Sequence, residues 1–138
     1  MRRPGDGPDP MAMHDIEAAI HELMEKANDQ VADLATQSHE AAAAEHVFKR
    51  ARAKLLLQAG EALGGRSSAE QREAWCWEQT TGPAGEVLAD LDWQYRETAA
   101  IKEATVERGR MIRAQLDAMR TLAANVRPAM AHASGTGG

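Results

Sequence analysis

The chain has 138 residues, 43% of them hydrophobic, and a formal charge of −5. That length fits one domain, but much of the apolar content is alanine and only one Phe and one Tyr accompany three Trp, which excludes a thick globular core. A single cysteine, Cys76, excludes an internal disulfide and points to a reducing compartment, so a cytoplasmic location is expected.

The opening ten residues, Met1 to Pro10, carry two Arg, three Pro and two Gly but no apolar stretch, and read as a disordered leader over residues 1–12 rather than a signal peptide. Met1, Met11 and Met13 are each plausible starts of translation. From Ile16 the apolar positions run Ile16, Ile20, Leu23, Ala27, Val31 and Leu34, then through alanines to Phe48, Leu55 and Ala59. Steps of three and four without Gly or Pro predict one helix over about 13–60. Gly60, Gly64 and Gly65 then stop it. Ser67-Ser-Ala-Glu70 and Ser68-Ala-Glu-Gln71 both fit a capping box, so a short helix over about 68–79 carries Trp75, Cys76 and Trp77. Thr80-Thr-Gly-Pro83 breaks that helix, and Pro83 suits the first position of a third, over about 83–127. Its stripe is Val87 or Leu88, Leu91, Tyr95, Ile101, Thr105, Ile112, Leu116, Met119, Leu122 and Val126, and Pro128 ends it. Residues 128–138 are low-complexity and read as a flexible tail. No segment alternates as a strand does, and no apolar run of about 18 residues could span a membrane.

The predicted fold is therefore all-α: a long antiparallel helical hairpin with a short helix at its tip. Charge supports that register. Asp15 to Glu45 holds eight acids against Lys26, Phe48 to Arg72 holds six bases against two acids, and Arg96 to Arg127 holds seven bases against four acids. Folding about residues 70 to 73 opposes the first block to the third. Two alanine-rich helices leave apolar surface uncovered, so a dimer or higher oligomer, a bundle of hairpins, is expected.

Motifs that would announce catalysis are explained by structure alone. Gly60-Glu-Ala-Leu-Gly-Gly65-Arg66-Ser67 resembles a phosphate-binding loop with Arg for Lys, but a helix precedes it where that motif needs a strand. His14, His21, His39 and His46 share the first helix, yet His21-Glu-Leu-Met-Glu25 and His39-Glu-Ala-Ala-Ala43 lack the second His of a helical zinc motif. No Glu-x-x-His pair of the di-iron kind is present either. Cys76, between two Trp, reads as a packing residue. No enzyme activity, metal or cofactor is expected.

The most informative constellation lies at the tip. Lys49, Arg50, Arg52 and Lys54 fall opposite Trp93, Tyr95 and Arg96, with Arg66 and Arg72 nearby. Bases interleaved with aromatics suit single-stranded DNA, since cations meet phosphates while aromatic faces stack on bases. The same aromatics also suit a local core where three helices meet, with Glu73, Glu78, Asp90 and Asp92 neutralising the charge, and the tip equally suits a protein partner.

Glu45-x-x-x-Lys49-x-x-x-x-Lys54, the glycine break, Arg66-Ser-Ser-Ala-Glu-Gln-Arg72-Glu73-Ala74 and Arg120-Thr-Leu-Ala-Ala-Asn-Val-Arg127 together resemble small helical bacteriophage proteins encoded near single-strand annealing recombinases and single-strand binding proteins. The resemblance covers about Glu40 to Arg127 and implies a non-enzymatic accessory role in phage DNA replication or recombination inside a bacterial host. The partners would be a phage or host protein or single-stranded DNA, besides the chain itself. A paired helical protein of a secretion or assembly system, with no nucleic-acid role, is the alternative. The turn lacks the Trp-x-Gly of such proteins, since neither Trp75-Cys-Trp77 nor Trp77-Glu-Gln79 supplies it.

Overall fold

A computed structural model describes residues 10–79 and 87–136. Three helices follow one another, α1 (Pro10–Leu63), α2 (Ala69–Glu78) and α3 (Leu88–Thr136), and no strand occurs among the described residues. The long helices α1 and α3 pack against each other with α2 between them in the chain, the expected all-α hairpin.

The helix ends follow from local chemistry and correct three boundaries. α1 begins at Pro10 rather than about residue 13, because proline is preset for the first helical position and its missing N–H has no intrahelical partner to lose. It also runs through Gly60 to Leu63. A helical glycine costs only about 1 kcal/mol relative to alanine, and the buried neighbours Leu55 and Ala59 hold that turn in place. The stop comes at Gly64, whose φ of 84° places it in the left-handed region that an L side chain rarely adopts. Its N–H donates to the Gly60 carbonyl at 3.1 Å, satisfying one orphan acceptor of the helix end.

Of the two capping boxes, the Ser68 one forms. Gln71 N–H donates to Ser68 Oγ at 3.1 Å and Ser68 N–H donates to Gln71 Oε1 at 2.9 Å. Ser67 is engaged elsewhere, donating to the Gly64 carbonyl and accepting from Arg72 Nε, both at 2.8 Å. Pro83 and residues 1–9 lie outside the described residues, and α3 is described from Leu88. Pro128 does not end α3, which continues to Thr136. Proline removes one hydrogen bond and crowds the preceding turn, but Ala129, Met130 and Ala131 after it are strong helix formers that resume the spiral.

The chain divides into two compact units. Of the described residues, unit 1 joins 10–33 to 105–136. Its core is Met13, Ile16 and Ala123, with Ile20, Met119 and Val126 packed on it. Ile16 early in α1 shares a core with Ala123 late in α3, and Gln30 further along α1 meets Thr105 earlier in α3, so the two helix segments run antiparallel. Unit 2, residues 34–104, has a core of Leu55, Ala59, Cys76 and Leu88, flanked by Phe48, Ala51, Leu56 and Trp75. Here all three helices contribute, and Cys76 is fully buried as a packing residue.

Unit 1 contains an exception to the apolar stripe. Val31, a predicted core position, is 63% exposed, while the adjacent Gln30 is buried. Gln30 Nε2 donates to the Thr105 carbonyl at 3.0 Å, which satisfies a group that would otherwise be costly to bury. Gly109, one turn along α3, supplies the space, since a Cβ there would sit 2.6 Å from Gln30 Nε2. Arg108 to Asp33 at 3.1 Å is an ion pair across the same seam, as the opposed charge blocks predict.

Gly109→Ala tests this seam. The added methyl gains about 1 kcal/mol of helix propensity but displaces a buried amide and its hydrogen bond, a loss of about 1–3 kcal/mol. The net expectation is destabilisation by about 1 kcal/mol in urea unfolding. In a Gln30→Ala background the same substitution becomes neutral or stabilising, and a double-mutant cycle reads the difference.

Candidate functional site

The nine residues singled out at the tip, all in unit 2, separate by what they touch. Lys49 Nζ meets Glu45 Oε1 at 2.5 Å, one turn back on α1. That hydrogen bond, seconded by the charge, raises the lysine pKa above its ordinary value. Arg96 meets Asp92 at 3.0 Å on α3. Arg52 makes a forked contact with Glu73 of α2, Nε to Oε1 at 3.0 Å and Nη2 to Oε2 at 2.7 Å. A planar guanidinium matches a carboxylate in this way, tying α1 to α2. The pairing raises the Arg52 pKa and lowers that of Glu73 against the opposing effect of burial, and the Trp77 indole N–H, 3.1 Å from Glu73 Oε1, adds to the lowering.

The aromatic residues divide in the same way. Tyr95 stacks on Phe48 with ring centroids 5.8 Å apart, and Trp77 tilts against Phe48 at 6.2 Å. Trp75 packs on the unit 2 core. Of the aromatic candidates, Trp93 alone stands well out, 69% exposed, and its neighbours one turn away are Ala89, Asp90, Arg96 and Glu97. Since Phe48 and Leu55 face the core, helical geometry puts Arg50 and Lys54 on the opposite, outward side of α1. Trp93 likewise points away from the face of α3 that carries Leu91 and Tyr95. Trp93 and the bases Arg50 and Lys54 are therefore on the outer faces of different helices, and the exposed base one turn from Trp93, Arg96, is paired to Asp92.

Four candidate bases retain their charge for an outside partner. Arg50, Lys54 and Arg66 are exposed and have no ion pair or side-chain hydrogen bond among the described residues, and Arg72 bonds only to Ser67 Oγ. An open groove of about 660 Å³ runs between the end of α1 and α2, and of these four bases Arg72 lines it. Ala53, Leu56, Leu57 and Ala69 make its apolar lining, and Arg52, Arg72, Glu73 and Ser67 make its polar rim. Leu57 is 74% exposed and Leu63, close by on α1, is 43% exposed. Leu57 was invisible to the sequence pattern because three consecutive leucines, Leu55 to Leu57, cannot all face one core and the pattern does not say which is left out.

Chemistry beyond binding finds little here. The Cys76 thiol is buried, and that burial pushes its pKa up, away from the reactive thiolate. No group of three or more His, Cys, Asp or Glu among the described residues could hold a metal ion. His14, His21, His39 and His46 are exposed on α1, and His21 lies 3.2 Å from Glu25. Among the described residues no helix is long and apolar enough to cross a membrane.

The Arg52 to Glu73 bridge gives a pH signature. Because the folded pKa of Glu73 lies below its ordinary 4.5, the bridge contributes fully above that value and its contribution is lost as pH falls through the lowered one. Both partners are more than a third accessible to solvent, so screening limits the effect. Glu73→Gln should cost less than about 1 kcal/mol at neutral pH, and urea unfolding of variant and parent should converge in acid.

Compared with known proteins, the chain matches no protein-family model, no curated protein and no solved structure.

Proposed function

We infer that the protein is a non-enzymatic helical interaction module whose tip binds an acidic amphipathic helix of a partner protein. The observation that carries this is the groove of unit 2, an apolar lining of Ala53, Leu56 and Leu57 with Arg72 on its rim, on a tip whose α1 segment also carries the exposed cations Arg50 and Lys54 without an ion pair. A partner helix buries one apolar stripe and presents acids beside it, which is what such a groove complements. Single-stranded DNA asks for something else. It needs stacking faces among free bases, whereas Tyr95 and Trp77 pack their rings on Phe48 and the base beside Trp93, Arg96, is paired to Asp92. The resemblance to phage accessory proteins supports the accessory class of role and leaves the DNA-metabolism setting as part of the proposal.

Fluorescence anisotropy separates the two kinds of partner. A labelled acidic amphipathic helical peptide should bind at about 50 mM salt with micromolar affinity, and Leu57→Lys or the pair Arg50→Ala and Lys54→Ala should weaken it about tenfold or more. Labelled single-stranded and duplex oligonucleotides should show only weak, non-specific association, lost between about 50 and 200 mM salt. Saturable oligonucleotide binding that persists at the higher salt and depends on Arg50 and Lys54 overturns the protein-partner reading in favour of nucleic acid. Failure of the peptide to bind removes the groove from consideration.

A further inference from the structure

Unit 1 carries an exposed apolar stripe on α3 that its own core does not use. Met111 is 62% exposed and Leu122 46%, and Ala118 between them is exposed as well. The three recur at steps of seven and four, on a flank of α3 that the buried Ile112, Leu116 and Ala123 do not occupy. Together they span about 17 Å of helix, or about three turns.

The ion pair of Arg108 with Asp33 shows what lies beside that flank. Arg108 precedes Met111 by one turn, so Asp33 marks the matching side of α1. Within about 40° of Asp33 round α1 stand Asp15, Glu22, Lys26 and Asp29. An open cleft of about 250 Å³ between the two helices is lined by Lys26, Asp29, Gln30, Asp33, Arg108 and Ile112, which puts Asp29 on the side of Arg108. Glu22 pairs with Lys26 and Asp33 with Arg108, whereas Asp15 and Asp29 have no ion pair among the described residues. The bases Arg113 and Arg120 lie elsewhere, about 160° round α3 from Met111 and Leu122 respectively. One side of unit 1 is thus apolar along α3 and acidic along α1.

We propose that this side of unit 1 docks a basic amphipathic helix of a partner protein, its apolar stripe on Met111, Ala118 and Leu122 and its lysines or arginines at Asp15 and Asp29. Three observations select that occupant. The stripe is about three turns long, so a partner helix meets it with anchors at steps of three and four. The acids lie alongside the stripe, on the neighbouring helix, which suits a helix whose bases flank its apolar residues, since their long stems cross apolar surface while their charged heads reach the carboxylates. The cleft at Asp29 is open to such a head, and that carboxylate has no ion pair to give up. The same acids disfavour other occupants. A nucleic acid or an anionic membrane surface meets repulsion there, and a second copy presenting this same side brings like charge to like. The site shares no residue with the groove of unit 2 and takes a helix of the opposite charge, so either reading can fail alone.

Fluorescence anisotropy with the full chain tests the assignment. The probe is a labelled helical peptide with leucines at steps of three and four and lysines flanking them, which should bind at about 50 mM salt with micromolar affinity. The pair Met111→Gln and Leu122→Gln should weaken binding about tenfold. The pair Asp15→Asn and Asp29→Asn should weaken it about tenfold as well and flatten its dependence on salt. All four side chains are exposed, so circular dichroism of both variants should match the parent. A parent that does not bind the peptide overturns the proposal, as does binding that neither pair of substitutions weakens. Binding that responds to only one pair overturns it too, since the side then acts by charge alone or by apolar adhesion alone. Sedimentation equilibrium of the parent at about 0.1 mM covers the remaining occupant. A species of twice the chain's 14.9 kDa that the glutamine pair dissociates gives this side to a second copy and likewise overturns the proposal.

Discussion

The hairpin depends on one backbone conformation, the left-handed Gly64. α1 has 54 residues of nearly uninterrupted helix-forming sequence, and nothing in its side chains forces it to end. A residue free of a Cβ does so by turning its N–H back onto the Gly60 carbonyl and releasing the chain toward Ser67 and Ser68. The Ser68 capping box starts α2 four residues later, and α2 then places Glu73 against Arg52 and Cys76 against Leu55 and Ala59. A capping box, a forked ion pair and a four-residue core thus follow from one reversal that only glycine makes without strain.

With so little aromatic and branched aliphatic content, the helices cohere through closeness rather than bulk. Ala59 and Ala123 are essentially fully buried, and Gly109 leaves the space that the Gln30 side chain of α1 occupies. Such a seam has little hydrophobic surface to specify which turn faces which. The buried Gln30 supplies that discrimination in unit 1, because sliding the helices would strand its amide without a partner. Unit 2 uses rings instead, Phe48 packed with Tyr95 and with Trp77.

Helix class, order and direction were legible in the sequence because three-four spacing, capping residues and opposed charge blocks all point the same way. The finer pattern was less so. Val31 lies on the spacing rule yet faces outward while its polar neighbour Gln30 is buried, since a glycine one helix away makes room for an amide and no single-helix pattern encodes that. Leu122 and Ala123 exchange roles for a related reason, the smaller residue being the one a close seam accommodates. Around the tip, the sequence listed the basic and aromatic residues but could not show which would neutralise one another. Lys49, Arg52 and Arg96 are tied to Glu45, Glu73 and Asp92, while Arg50, Lys54 and Arg66 are not. That division depends on rotamers and on the placement of α2, neither of which the order of residues states.

The long separation between partners in unit 1 has a consequence for the protein as it is made. Gln30 and Thr105 lie 75 residues apart, whereas Arg52 and Glu73 lie 21 apart, so closing the wider loop costs about 1 kcal/mol more in chain entropy. On the ribosome, the first half of α1 emerges and then waits for its α3 partner. At about 5–20 residues per second that wait lasts roughly 4 to 15 seconds. Through that interval Met13, Ile16 and Ile20 have no seam to enter, and the eight acids between Asp15 and Glu45 surround them with like charge. Neighbouring nascent chains repel one another over the same stretch. The acidity of α1 thus acts before the fold exists, as a solubilising coat for a helix whose partner has yet to be synthesised.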